Sequence, residues 1–155
     1  MNKLLLLFIT FLLLIPISAK TLKGRIVKVS DGDTIVLLDS TNTQHKIRLD
    51  GIDCPEKGQP FGTKATEFVK QLTINKTIIV EWKKKDRYNR ILGIVYADSV
   101  NVNKELLKNG LAWHYKHFNN DAELAELEQQ AKDKKLNIWS EKNPIEPYQW
   151  RKWKR

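Results

Sequence analysis

Three carboxylates, Asp33, Asp53 and Glu56, lie in the N-terminal half of this chain, and Arg48 falls between the first two. Gathered at one site they would repel each other unless a cation or a guanidinium neutralised them. Hard cations such as calcium take about 6–8 oxygen ligands. Two carboxylates, a backbone carbonyl and waters would leave room for a phosphate oxygen. Glu56 could then orient or deprotonate a water, while Arg48 and a second arginine met the charge developing on phosphorus. Taken singly, Asp31-Gly32-Asp33 and Asp53-Cys54-Pro55-Glu56 also read as ordinary polar turns. The chemistry therefore depends on the elements that bring them together.

Those elements are legible. Thr21 to Ser30 reads as a strand ending at the turn dipeptide Asp31-Gly32, Thr34 to Leu38 as a second, and Gln44 to Leu49 as a third. If the second and third strands form a hairpin about Asp39 to Asn42, Asp33 sits across from about Leu49, because paired positions have a constant sum. Asp53 and Glu56 follow just past that strand, and Arg48 lies on it. Ala65, Phe68, Val69 and Leu72 have the spacing of an amphipathic helix. Thr77 to Trp82 and Ile91 to Tyr96 read as two more strands, flanking the charged segment 83–90. Val102, Leu106, Leu107 and Leu111 suit a helix stopped by Asn109-Gly110. Asn120 with Glu123 resembles a capping box for a further helix to about Lys135. The fold class is α+β and β-rich: a five-stranded OB-type barrel with about three helices.

The 155 residues carry 27 Lys and Arg against 18 Asp and Glu, a net charge of +9 that favours a polyanionic partner. One cysteine excludes a disulfide framework and any multi-cysteine zinc or iron–sulfur site. Lys3, the apolar run from Leu4 to Ile15 and the small residues ending at Ala19 have the layout of a signal peptide over residues 1–19. An uncleaved N-terminal anchor is the alternative. Residues 20–155 are expected to form the mature domain, secreted or retained in the periplasm or cell envelope.

Asp31-Gly32-Asp33-Thr34, Arg48 through Glu56 (RLDGIDCPE), Asp86-Arg87-Tyr88-Asn89-Arg90 and Lys135 through Glu141 (KLNIWSE) resemble, in order, the motifs of the thermonuclease, or staphylococcal-nuclease-like, family. The resemblance implies that Asp33 and Asp53 bind calcium, with the backbone carbonyl of Cys54 as a further ligand. It implies Glu56 as the general base and Arg48 and Arg90 as catalytic, phosphate-binding arginines. Arg87 and Tyr88 match substrate-binding positions at the nucleotide's other phosphate, and Tyr115 matches a tyrosine near the base. Two departures stand out: Cys54 replaces a threonine of the family's best-known member, and the segment after Glu56 is short.

The implied activity is calcium-dependent hydrolysis of DNA and RNA, leaving 3′-phosphates, with single strands preferred. No protein partner is implied, and a monomer is expected. The rival reading is a noncatalytic OB-fold nucleic-acid-binding module; a third is a basic domain on an anionic cell-surface polymer. His114 and His117 lack the companions of a zinc set, and His45 has no evident partner in the sequence. The basic, aromatic tail, about residues 144–155, either stacks on nucleic acid or packs against the barrel, and contains no expected catalytic residue.

Overall fold

A computed structural model describes residues 19–154. The expected signal peptide falls almost wholly outside them. The chain order is β1 (Lys20–Asp31), β2 (Thr34–Asp39), β3 (Gln44–Leu49), β4 (Ile52–Asp53), α1 (Gly62–Thr73), β5 (Ile78–Lys85), β6 (Ile91–Ala97), β7 (Val100–Asn101), α2 (Val102–Lys108), β8 (Trp113–His114), α3 (Ala122–Asp133), a 3₁₀ turn at Asn137–Ser140 and α4 (Pro147–Trp153).

Strand β1 is twelve residues long and serves two partners, β5 along Lys20–Gly24 and β2 from Gly24 onward. Its corner is Gly24, where any side chain would strike the Leu38 carbonyl. Register slips after Ile26 and Val29 bend it further, as bulges do. Parallel pairing of β3 with β6 closes the ring β1-β2-β3-β6-β5 into the five-stranded barrel, and β7 extends β6. The fold is thus the OB-like α+β barrel that the strand pattern predicts, with four α-helices among the described residues.

Alternation fills the interior. Ile35 and Leu37 of β2, Ile47 and Leu49 of β3, Val80 and Val95 are fully buried, joined by Val69, Leu106 and Leu107 from the helices. Of the helical stripe on α1, Ala65 and Val69 are buried, while Phe68 and Leu72 pack on the core's edge.

Three local readings need correction. Strand β5 runs through the lysines at 83–85, so only 86–90 forms the connecting turn. The cap of α3 is Asp121, whose Oδ1 accepts the N–H groups of Glu123 and Leu124 at 2.8 and 3.3 Å; Asn120 lies one residue too early. His45 does have a partner, Asp39 Oδ2 at 2.7 Å across the β2–β3 hairpin.

Helix α3 also fixes the small β4–β8 ladder, in which Asp53 faces Trp113 and Ile52 faces His114. The buried Glu128 carboxylate accepts the His114 N–H at 3.0 Å and pairs with Lys132 and Lys116 at 2.8 and 2.9 Å. Burial alone would raise the Glu128 carboxyl, but the bonds from Lys132, Lys116 and His114 hold it below its ordinary value. A depressed carboxylate stabilises the fold above its unfolded pKa and loses that contribution as pH falls through the folded one. Glu128→Gln should therefore cost about 1–2 kcal/mol near pH 7. In urea melts at several pH values the gap from the unsubstituted protein should narrow below about pH 4.

Candidate active site

The β2–β3 register pairs Thr34 with Arg48, and the Leu49 N–H donates to the Asp33 carbonyl at 2.8 Å. That ladder sets Asp33 at the strand end where the chain turns toward Asp53. The link between them is held from outside by Asn103 of α2, which accepts the Val95 N–H and donates to the carbonyls of Asp50 and Gly93. These bonds, with the Asp50 N–H donating to the Gly93 carbonyl at 2.9 Å, tie the turn to β6.

Arg48 occupies the centre. Its Nη1 donates to the carbonyls of Leu49 and Ile52 at 2.9 and 2.8 Å, which locks the fork in place. Its Nη2 lies 2.8 Å from Asp53 Oδ1 and 3.2 Å from Asp33 Oδ2. Both carboxylates are buried. Asp33 is further tied by Oδ2 accepting the Cys54 N–H at 2.7 Å and by Oδ1 accepting the Thr34 hydroxyl at 3.1 Å. Cys54 itself packs under Gly32: a Cβ at Gly32 would come within 2.9 Å of the Cys54 Cβ and 2.8 Å of the Ala65 Cβ, so this turn has no room for a side chain.

The electrostatics follow from that burial. Desolvation raises the Asp53 carboxyl, and the neighbouring Asp33 adds to the rise; Arg151 and Arg48 only partly offset it, leaving it above its ordinary value. Asp31 is pushed up to about 6 by burial and by the adjacent Asp33. Burial would pull the Arg48 guanidinium down, but Asp33 and Asp53 hold it above the usual arginine value. Burial beside Asp33 lifts the Cys54 thiol well above its normal range, so it stays a protonated, inert thiol at neutral pH.

Glu56 sits on the loop that follows. Its N–H donates to Gln59 Oε1 at 2.9 Å, while the Gln59 amide donates to the Ile145 carbonyl at 2.7 Å. The short loop is thus stitched to the chain leaving the 3₁₀ turn. Glu56 reaches the buried pair through Arg151 of α4. Arg151 Nη1 bonds Glu56 Oε1 at 2.6 Å and Asp53 Oδ1 at 3.2 Å, and its Nη2 bonds Asp53 Oδ2 at 3.0 Å. Sequence reasoning left no residue of the tail in the site. Arg151 is there. The only signal was the tail's mixture of cations and aromatics, and no local rule links it to Asp53, 98 residues away.

The remaining expected residues are placed less centrally. Tyr115 borders the cleft it shares with Asp53, His117 and Tyr148; burial and the Asp53 charge raise its hydroxyl pKa. Arg90 precedes β6, and the β3–β6 register, with Arg48 beside Leu92, puts it on the same barrel face as Arg48. Its guanidinium is nevertheless engaged by Asp86, 2.7 Å from Nε. Asp86 also accepts the N–H groups of Tyr88 and Arg90, organising the turn. The exposed Tyr88 ring has Arg87 at 4.8 Å and Arg90 at 5.5 Å from its centroid. Asp33, Arg48 and Asp53 are therefore brought into direct contact, Glu56 joins them through Arg151, and Arg87, Tyr88 and Arg90 form a separate group on the hairpin tip.

Among the described residues no group of three His, Cys, Asp or Glu side chains closes into a metal-binding set. The donors that do converge, the carboxylates of Asp33 and Asp53, are hard oxygens. They suit a hard cation that fills its remaining positions with backbone carbonyls and water. In the structure the positive charge beside them comes from Arg48 and Arg151.

The closed OB-type barrel thus carries a buried, arginine-bridged aspartate pair at one strand end, with a glutamate beside it. The model of the staphylococcal nuclease homologues matches residues 46–141. An Escherichia coli protein named as an uncharacterized endonuclease is 42% identical over 137 residues, covering 88% of this chain and 89% of the relative. A Haemophilus influenzae protein with the same description is 42% identical over 128 residues, 83% of this chain and 72% of the relative. A micrococcal nuclease of Shigella flexneri is 37% identical over 141 residues, 84% of this chain and 80% of the relative. The chain belongs to the staphylococcal nuclease family.

Arg48→Ala would leave two buried carboxylates without their bridging cation. The substitution should cost on the order of 3–5 kcal/mol of stability in chelator, the range for breaking a buried pair by removing one partner. It should also move the Asp53 carboxyl further up, measured by carbon-detected NMR titration of the aspartates.

Proposed function

We propose that this protein is a calcium-dependent nuclease that hydrolyses phosphodiester bonds in DNA and RNA, prefers unpaired strands and leaves 3′-phosphates. The observation that carries this reading is the Arg48-bridged pair of buried carboxylates, Asp33 and Asp53, with Glu56 alongside. Membership of a nuclease family and the +9 charge support it. The leader-like N-terminus motivates a further proposal, that the protein acts outside the cytoplasm.

Asp33, Asp53 and the Cys54 carbonyl would hold calcium, which supplies positive charge beside a phosphate oxygen. The chain's own residues do the rest. Glu56 orients a water and takes its proton as the water oxygen attacks phosphorus. The bond from phosphorus to the 5′-oxygen breaks, and that oxygen takes a proton from solvent water to become a hydroxyl, so the phosphate stays on the 3′ side. Arg48, fixed beside the carboxylates by its two carbonyl bonds, places a positive charge near the phosphate as charge builds on phosphorus. Arg90 turns from Asp86 toward the same phosphate, on the face it shares with Arg48. Arg87 and Tyr88 meet the flanking phosphate from the hairpin tip, and Tyr115 lies against the base. The lysines of β5 extend the basic track.

Digestion of single-stranded DNA and of RNA, in calcium and in excess chelator, tests this reading. Activity should require calcium and disappear in Asp53→Asn. Glu56→Gln should bind single strands normally while its single-turnover rate falls by ~10²–10⁴. Full activity in chelator would remove the metal from the reaction. Binding without cleavage at any calcium concentration would make the domain a noncatalytic module.

A further inference from the structure

We infer that the C-terminal segment is a strap across the active site, with Arg151 as a built-in cation that competes with the metal for Asp53. The inference rests on the calcium reading above and deepens it. The geometry is one of mutual exclusion. The Arg151 fork takes both oxygens of Asp53 and one of Glu56. While the fork is seated Asp53 cannot offer those lone pairs to a cation, and Glu56 cannot offer its Oε1 to a water. A guanidinium and a divalent ion also repel each other across such short distances.

The chain leading to Arg151 is held at several points. The Ile145 carbonyl is pinned by the buried Gln59, which also holds the Glu56 backbone. Pro147 is buried and opens α4, fixing the direction of the helix. Tyr148 lies 5.8 Å from the His117 ring, in the cleft that Tyr115 borders. The strap therefore puts an aromatic ring in the cleft beside Tyr115 and a cation on the carboxylates. A bound nucleotide and its metal would need both places.

The seat is shallow enough to open. The Arg151 side chain is 36% exposed, Trp153 is 70% exposed, and α4 is only seven residues long. Binding of calcium at Asp33 and Asp53 displaces the fork and frees α4, so the site opens when the metal arrives. Arg151 is then a regulatory residue rather than a catalytic one.

Two readouts, neither of them activity, test the proposal on the full mature chain: calcium affinity by calorimetry and amide hydrogen exchange across residues 146–154. In the unsubstituted protein calcium should speed exchange in α4. Arg151→Gln should bind calcium about tenfold more tightly and show fast α4 exchange without calcium. Arg151→Lys, which keeps the charge but loses the fork, should fall between them. A cooperative melt for each variant guards against misfolding. Calcium binding with unchanged α4 exchange, or an Arg151→Gln affinity equal to or weaker than that of the unsubstituted protein, would overturn the strap and leave the calcium site standing. Failure of every form to bind calcium would overturn the calcium reading and the strap with it.

Discussion

Two carboxylates buried side by side are the constraint around which this molecule is built. Asp33 and Asp53 are removed from water and face the same point. A buried pair of like charges is tolerable only with positive charge between them. Arg48 supplies it, and two backbone carbonyls aim its fork. The surrounding structure serves that arrangement. The β2–β3 register sets the strand end, Asn103 ties the following turn to β6, and the β4–β8 ladder fixes Asp53 from the other side. Gly32 lets the first carboxylate loop close onto Cys54. A nonpolar barrel would need none of these devices.

The buried pair and the fork that bridges it are held rigidly, and the charges around them are held less tightly. The two arginines of the proposed mechanism differ in how they are held. Arg48 is locked into the interior, whereas Arg90 rests on Asp86 in the turn before β6 and is partly exposed. Arg151 belongs to neither group, since it approaches from the far end of the chain and takes Glu56 and the Asp53 oxygen that Arg48 leaves open. A strongly basic chain contains many cations for an acidic site to attract. The tail places one where it governs access.

Much of this was legible in residue types because the carboxylates lie close to a hairpin whose register the turn dictates. The constant sum of paired positions locates Asp33 against Leu49 by residue number alone, and the ladder has that register. Neighbouring alternatives were harder to separate. Asn120 and Asp121 are both good caps, and only the backbone geometry selects Asp121. The partnership of His45 with Asp39 needs the same hairpin register, but the two side chains carry no motif. Arg151 was illegible for a deeper reason. Its partners lie almost a hundred residues away, and neither periodicity nor turn chemistry reports where a short amphipathic tail will dock.

The dependence of the buried pair on a cation is tested most directly by thermal melting across a calcium titration, with Asp53→Asn beside the unsubstituted protein. A ligand that binds only the folded state stabilises it by about 2.7 kcal/mol at a hundred times its Kd. The melting temperature of the unsubstituted protein should climb steadily with calcium, and that of Asp53→Asn should stay flat. An equal calcium-dependent rise in both proteins, or none in either, would contradict the assignment of the buried aspartate pair as the cation's seat.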